Sequence, residues 1–296
     1  MTTAELEAPQ TARAEESTAA RIVRFLSRTP VYLLIAFVGL LWLVPTFGLF
    51  FTSLIEPASI GTAGWWEIFS TPSIATFENY REIFDNEDIT SAIWTTLWVA
   101  IGGTILPILV AAFAAYAFAW LEFPGRDWLF LVVVALLVVP IQMALIPIFS
   151  LYNDLGLFDS ILGLMLFHTA FGLPFAIFLL RNFFIGIPRD LLEAARIDGA
   201  SEFRIFFRLI LPLGLPAIAS LAIFQFLWVW NDLLVALTFA RDTQPITVAI
   251  FTQLRQFSAN IELIAPAAFV SLAIPLVVFF AFQRYFVEGL LAGSVK

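Results

Sequence analysis

The chain has 296 residues, of which 61% are hydrophobic and only 13% are charged, whereas about 25% of the residues of a typical soluble domain are charged. Its net charge of −8 argues against a nucleic-acid-binding role. Because the sequence has no cysteine and one histidine, it excludes a disulfide framework, a thiol nucleophile and a thiolate or histidine-rich metal centre. The composition is typical of an integral membrane protein.

Six apolar stretches are each long enough to cross a bilayer, which takes about 20 helical residues. The predicted spans are approximately Val31–Ile55, Ser91–Trp120, Trp128–Leu151, Ile161–Phe184, Leu213–Phe239 and Pro266–Arg284. Residues 1–29 form a tail whose start is rich in Ala, Thr and Glu without an apolar period, which predicts disorder. We therefore expect an all-α transmembrane fold with a first helix over residues 30–55, an extracytoplasmic loop over residues 56–90 and a five-helix core over residues 91–296.

Positive charges are distributed unevenly among the loops. They are concentrated in the N-terminal tail, after the last span, and above all in the loop between spans four and five, while the opposite loops carry only Arg81, Arg241 and Arg255. Because Lys and Arg are retained on the cytoplasmic side of a membrane, this asymmetry predicts that both termini are cytosolic.

The outer loop contains two local patterns. Trp65, Trp66 and Phe69 indicate an interfacial turn at the level of the lipid headgroups, and Phe77–Phe84 is typical of a short amphipathic helix. Five acidic residues make this face negative, namely Glu78, Glu82, Asp85, Glu87 and Asp88. Two interpretations remain open, a simple solvated face and a docking face for a soluble partner.

The loop between spans four and five carries the signals of two short helices. Asp190 and Glu193 have the spacing of a helix start, at which each side chain can bind free amide groups. Gly199 suits the left-handed position that ends a helix, and Ser201 can cap the helix that follows. The loop is therefore predicted to be a helix–Gly–helix unit.

The second of these helices is predicted to be amphipathic. Its apolar residues Phe203, Phe206, Phe207 and Ile210 follow a helical period, Arg204 and Arg208 lie on another face, and Pro212 is expected to end the helix. The pattern fits a helix on the inner leaflet as well as a helix that docks a partner, and pattern alone leaves both open.

A resemblance to a known family favours the partner. The run Glu193-Ala194-Ala195-Arg196-Ile197-Asp198-Gly199-Ala200-Ser201, followed by Ile210-Leu211-Pro212 and Pro216, resembles the EAA loop of permease subunits of ABC importers. The resemblance implies the six-helix, MetI-like permease fold of type I ABC importers. It also implies that residues 188–212, here named the coupling segment, seat in a groove of an ATPase subunit. The residues implied for that contact are Glu193, Ala194, Ala195, Asp198, Gly199, Ala200, Phe203, Arg204, Phe206 and Pro212.

Three further motifs resemble carbohydrate-type permeases, specifically the MalG-like half of a maltose-type pair. They are Asn79-Tyr80, Trp230-Asn231-Asp232 and the C-terminal run that begins Arg284-Tyr285-Phe286. Gly64-Trp65-Trp66 resembles a short element of α-glucoside permeases. The implied substrate is therefore a di- or oligosaccharide, with an α-glucoside as the narrower expectation.

Polar residues inside apolar spans are costly and normally face a cavity or another helix. Gln142, Gln225, Trp228, Asn231 and Asp232 are the candidates for the substrate pathway. For Asp232, a contact to a sugar hydroxyl and a cap on a helix break remain equally open. The lone His168 fits a hydrogen bond between helices better than a ligand contact.

These observations predict a non-catalytic subunit of an ABC sugar importer in the bacterial cytoplasmic (inner) membrane. The sequence has no G-x-x-x-x-G-K-[ST] pattern, so ATP and Mg²⁺ are expected in partner ATPase subunits and no cofactor is expected in this chain. The other expected partners are a second, MalF-like permease subunit, an extracytoplasmic sugar-binding protein and membrane lipid. The alternatives are an ion-gradient-driven transporter, which needs an intramembrane charge relay, and an ABC permease for a non-sugar such as a glycerol phosphate.

Overall fold

The structure is a computed structural model that describes residues 18–256 and 260–292, with side chains over residues 29–254 and 260–284. The chain divides into two compact units, Met1–Gly48 and Leu49–Lys296. Most of the predicted disordered tail, and the side chains of the C-terminal motif after Arg284, lie outside this description. The described residues form helices and turns, with one isolated antiparallel bridge between Ile55 and Ala75.

The first helix, α1, runs over Thr18–Ser53, so it begins inside the segment predicted as a tail. Residues 18–29 are therefore helical where the sequence predicted disorder, whereas the membrane-spanning part begins at Thr29, next to the predicted start at residue 30. From Val31 to Val44 its apolar side chains are exposed within the chain. Such a surface suits a lipid environment, since in water it would be an aggregation-prone patch.

The outer loop follows the sequence closely. A 3₁₀ turn covers Trp65–Phe69, and helix α2 covers Glu78–Asp85 with Ile83 buried. The side-chain amide of Asn79 is also buried and donates to the carbonyls of Ser53 and Ile55 at 3.0 and 2.7 Å. The Asn79-Tyr80 motif thus holds α2 against the start of the outer loop.

Among the described residues, five helices are long and apolar enough to span a membrane, and a bent pair of helices makes a sixth span when it is taken as one. Their spanning parts are Thr29–Ser53, Glu87–Trp120 (α3), Ile161–Ile185 (α6), Glu202–Trp230 and Ile261–Arg284, the last within α12, Ile261–Ala292. A shorter helix, α11, covers Ile246–Gln256 before it. The predicted six-span, all-α class agrees with this count when the bent pair is taken as one span.

The third predicted span, Trp128–Leu151, is broken into two helices. Helix α4 covers Arg126–Leu136 and helix α5 covers Ile141–Leu155, and their axes differ by 99°. Pro140 is the cause, because it lacks an amide hydrogen and biases the preceding residue away from helical geometry.

The coupling segment begins with helix α7, Arg189–Ile197. After it, helix α8 (Glu202–Ile205), a π turn (Phe206–Ile210) and helix α9 (Leu211–Trp230) form one continuous run. The prediction that Pro212 ends a helix is wrong. It lies in the first turn of α9, where the missing amide is tolerated, and the widened turn before it makes room for the ring.

The fifth span, Glu202–Trp230, also begins and ends earlier than the predicted Leu213–Phe239. Helix α9 ends at Trp230, and a separate helix α10 covers Leu234–Phe239. Asn231 and Asp232 therefore lie at a corner and not inside a span.

Helices α3, α6, α9 and α12 form the body of the second unit. One apolar core lies near the coupling segment and includes Ala115, Leu180 and Ile210. A second lies near the α9–α10 corner and includes Phe167 and Trp230, and a third, smaller one joins Ile83 of α2 to Ile89 of α3. The coupling segment and the α9–α10 corner therefore lie at opposite ends of the same helical bundle.

Candidate functional site

The coupling segment has the predicted helix–Gly–helix shape. Gly199 has a φ of +75°, a conformation that costs other residues energy, and it follows α7 as the sequence indicated. The hydroxyl of Ser201 accepts a hydrogen bond from the amide of Arg204 at 3.4 Å. Both the turn and the cap on α8 are therefore present.

The predicted start of α7 is wrong in one respect. Pro188 occupies the N-cap position, without a side-chain cap, and Asp190 already lies in the first turn. Glu193 accepts from the guanidinium of Arg189 at 2.9 Å and does not reach back to the helix start. The fixed backbone of Pro188 suits the entry into the helix, and the charge of Asp190 still favours the positive helix end.

The apolar stripe on the second helix is divided by the π turn. Phe206 and Ile210 are buried, whereas Phe203 is 73% and Phe207 51% exposed. Phe206 packs between Phe113 and Tyr116 of α3. The prediction of one shared face is wrong because a π turn holds more residues per turn than an α-helix and so changes their angular spacing.

Most of the residues implied for ATPase contact lie at the surface. Glu193, Ala194, Asp198, Gly199, Phe203, Arg204 and Pro212 are exposed, Ala195 and Ala200 are partly buried, and Phe206 is buried. Between them, Ile197 is 86% exposed. Large apolar side chains exposed among charged residues, such as Ile197 and Phe203 on either side of the Gly199 turn, are typical of a protein-binding site.

An ion-pair cluster that the sequence reasoning missed holds this segment to the bundle. Glu202 accepts from the guanidinium of Arg196 at 2.9 and 3.3 Å, and the hydroxyl of Tyr116 on α3 also donates to it. Arg196 and Glu202 lie on the two sides of Gly199, so their opposite charges could have predicted the ion pair. Tyr116 is distant in sequence, and no pattern predicted its contact with Glu202.

A second polar group lies inside the bundle and consists of His168, Gln225 and Asp232; we call it the buried polar cluster. The amide of Gln225 donates to the carbonyls of Gly103 on α3 and His168 on α6, at 3.0 and 3.4 Å. Gly172 makes room for it, because a Cβ there would lie 2.5 Å from the amide nitrogen of Gln225. Gln225 thus joins three helices.

Asp232 caps helix α10. Its carboxylate accepts from the amides of Val235 and Ala236 at 3.2 and 3.0 Å, so the structure supports the helix-cap interpretation. It also lies 3.6 Å from Nε2 of His168. His168 and Asp232 are far apart in the sequence, and they lie close together only because α6 packs against the α9–α10 corner.

Two of the five residues predicted for the pathway line one groove. Gln225 and Trp228 border a cavity of about 300 Å³ together with Phe171, Gly172, Phe175 and Phe224. Asn231 is exposed at the corner and donates to the carbonyl of Leu227 at 2.8 Å, and Gln142 is exposed in the first turn of α5. Neither lies among the residues that line this groove. Aromatic walls with one amide at the base are a typical small-molecule setting.

A third polar contact joins two loops at the end of the bundle opposite the coupling segment. Asp159, with a φ of +54°, accepts from the amides of Arg241, Asp242 and Thr243 at 2.9, 3.0 and 2.9 Å. Burial alone would raise the pKa of Asp159, but these amides, with Thr243 first among them, hold it below its ordinary value. The sequence contained no pattern for this contact.

Comparison with known proteins gives one family. Residues 103–291 match the family described as "Binding-protein-dependent transport system inner membrane component". The chain is 46% identical over 282 residues to "Osmoprotective compounds uptake permease protein GgtD" of Synechocystis sp., covering 93% of this chain and 95% of that protein. It is 52% identical over 235 residues to "Alpha-glucoside transport system permease protein AglG" of Rhizobium meliloti, covering 77% of this chain and 62% of that longer protein.

Another relative and a solved structure agree with this match. The chain is 40% identical to "Trehalose transport system permease protein SugB" of Mycobacterium tuberculosis, over 76% of this chain and 84% of that protein. The fold resembles a chain in the crystal structure of a bacterial ABC transporter involved in the import of alginate, with a TM-score of 0.72, 22% identity and coverage of 91% and 98%.

Proposed function

Because the chain belongs to the family of inner-membrane components of binding-protein-dependent transport systems, we propose that it forms one half of the translocation pathway of an ATP-driven sugar importer. Its relatives are permease proteins, so the chain is a membrane component and not a catalytic subunit. The all-α permease fold of ABC importers predicted from the sequence is confirmed.

The coupling segment carries the link to ATP. It is a rigid helix–Gly–helix unit that exposes Ile197 and Phe203 and is tied to α3 through Glu202. ATP and Mg²⁺ are held by a pair of partner ATPase subunits, whose closure moves this unit and the spans attached to it. In this arrangement the coupling segment and both termini face the cytosol, as the distribution of arginines supports.

The proposal includes two further protein partners. A second, MalF-like permease subunit completes the pathway, and an extracytoplasmic sugar-binding protein delivers substrate to the acidic loop around α2. A related solved structure, of the alginate transporter, is in complex with an alginate pentasaccharide-bound periplasmic protein, which supports this kind of partner.

The substrate class is a di- or oligosaccharide, and an α-glucoside is the narrower proposal. Relatives named for α-glucoside and trehalose transport support it. The groove of Trp228, Gln225 and three phenylalanines supports it independently, since pyranose rings pack on aromatic faces while an amide binds their hydroxyls.

Co-purification tests the coupling. In Glu193→Lys the charge at the exposed centre of α7 is reversed, and we expect loss of the ATPase subunits while the chain still inserts in the membrane. Glu78→Lys is the matched control, because Glu78 is also exposed in an amphipathic helix but belongs to α2. Sugar uptake that persists without any ATPase would contradict the proposal and favour the ion-gradient alternative.

Uptake assays test the substrate. Cells that lack this chain are expected to lose accumulation of radiolabelled α-glucosides such as trehalose or maltose, and to regain it with the wild-type chain. Loss of glycerol phosphate uptake with unchanged sugar uptake would replace the sugar proposal by the non-sugar alternative.

A further inference from the structure

His168 touches three of the features that border the proposed pathway. Its ring nitrogen Nε2 lies 3.6 Å from the carboxylate of Asp232, and its ring meets the indole of Trp228 edge to face at 5.1 Å. Its backbone carbonyl accepts from the amide of Gln225. One residue of α6 therefore contacts the α9–α10 corner, one wall of the aromatic groove and the base of that groove.

His168 lies in enclosed and mainly apolar surroundings. The contacts with Asp232, Trp228 and Gln225 are therefore its main interactions. The side chain is 1% exposed, and a small cavity between it and Asp232 is lined mainly by Thr96, Val99, Leu164, Val229 and Ala236. Within the described part of the chain, its Nδ1 is buried without a hydrogen-bond partner. Buried polar atoms are rarely left unpaired, so a plain packing role would be served better by an apolar residue.

We propose that His168 is a positioning residue of the transport pathway, which holds Trp228 against the groove and Asp232 at the α9–α10 corner. The proposal rests on the proposed function, because it assigns a role within the same pathway. The imidazole fits this role because its ring packs edge to face with the indole of Trp228, while its Nε2 faces the carboxylate of Asp232. A residue with only one of these properties would hold only one of the two partners.

The consequence for transport is a specific kinetic pattern. The binding protein captures the sugar before it reaches the membrane, so the groove acts on passage and not on capture. We therefore expect His168→Ala to lower the maximal uptake rate on the order of tenfold, as small misplacements of site residues do, while the KM for sugar is unchanged. His168→Gln retains a side-chain amide and is expected to recover part of the rate.

The experiment uses the full transporter in proteoliposomes, with ATPase subunits and binding protein present. Thr169→Ala is the matched control, because Thr169 is the next residue of α6 and its hydroxyl donates only to Met165 of its own helix among the contacts described. Wild-type rates in His168→Ala, or a changed KM with an unchanged maximal rate, would overturn the proposal. Failure of His168→Ala to assemble with its partners would also overturn it, since His168 would then be a general folding residue.

A spectroscopic measurement separates this proposal from the proposed function. His168 is the one histidine of the chain, so ¹⁵N-histidine labelling of this subunit gives resonances from a single imidazole. We expect Asp232→Asn and Trp228→Leu each to shift these resonances, and Thr169→Ala to leave them unchanged. If wild type transports no sugar, the proposed function fails, yet the labelled ring still reports whether the contacts exist; unshifted resonances in both variants overturn the positioning role.

Discussion

Glu202 of the coupling segment and Gln225 of the buried polar cluster lie on one helical run, Glu202–Trp230, but their surroundings are opposite. In the coupling segment, Arg196 and Glu202 pair at the surface, where water weakens the attraction between charges. In the buried polar cluster, Gln225 and His168 lie among apolar helices and are almost fully enclosed. A polar contact there is costly to break, because the released group finds no water.

This difference explains what each region is suited to do. A surface cluster releases and re-forms at low cost, which suits a unit that moves with a partner. A buried cluster fixes helices in one arrangement. The hydroxyl of Tyr116 ties the surface cluster to the bundle, because Tyr116 is a buried residue of α3 and donates to Glu202.

The largest expected effect is that of Glu202→Ala. Arg196 and Tyr116 both lose their acceptor, and removing one partner of a partly buried hydrogen bond costs about 1–3 kcal/mol. We expect sugar uptake per ATP hydrolysed to fall about tenfold, because 1.4 kcal/mol corresponds to a factor of ten, while ATP hydrolysis continues. The measurement is uptake and hydrolysis in the same proteoliposomes.

The control for Glu202→Ala is Asp85→Ala. Asp85 pairs with Arg81 in an exposed contact of 3.7 Å on α2, so its loss removes an ion pair without a link to α3. An equal effect of both substitutions would show that the link through Tyr116 to α3 adds nothing to the Arg196–Glu202 pair.

Gly172→Ala tests the buried polar cluster next. A Cβ at this position meets the amide of Gln225 at 2.5 Å, and overpacking of this kind costs about 1–3 kcal/mol. We expect a lower melting temperature of the purified chain in detergent, whereas Gly61→Ala leaves it unchanged, since no described atom lies within 4 Å of a Cβ at Gly61. An unchanged melting temperature would mean that Gln225 moves aside freely.

Gly199→Ala is expected to have a smaller effect, confined to the coupling segment. No described atom lies within 4 Å of an added Cβ, so the cost is that of the left-handed backbone alone, about 1–2 kcal/mol. We expect weaker co-purification of the ATPase subunits, with Gly199→Asn milder because Asn tolerates this conformation. Gly156→Ala, at a φ of +67°, carries the same strain and should leave co-purification intact.

The smallest expected effect concerns Asp159. Its folded-state pKa is lowered, so its stabilising contribution is fully present above the unfolded pKa, about 3.9, and is lost as the pH falls through the lower folded value. Asp159→Asn should therefore melt at a slightly lower temperature than wild type at neutral pH, and the difference should vanish in strong acid. A difference that grows towards acid pH would contradict this sign.

The sequence was sufficient for features that depend on neighbours along the chain. Ser201 and Gly199 act at the positions that their residue types indicated, and α2 covers the predicted amphipathic stretch. The long apolar runs located the spanning helices because length and hydropathy alone decide whether a helix can cross a bilayer.

The sequence was insufficient where packing or backbone irregularity decides. Phe207 lies in the π turn before Pro212 and is exposed, and no local sequence pattern predicts such a turn. The pairing of His168 with Asp232, and of Tyr116 with Glu202, joins residues of different helices. Those contacts depend on how helices pack, which periodicity does not specify.

The unbroken run from Glu202 to Trp230 has a mechanical consequence. Its 29 residues make a rod of about 43 Å at 1.5 Å per residue, with Glu202 at one end and Trp228 close to the other. Because neither the π turn nor Pro212 breaks it into separate helices, a tilt at the end that carries Glu202 moves the indole of Trp228 with it. In the proposed function, the segment that meets the ATPase subunits and the groove that borders the pathway are therefore parts of one continuous helical run.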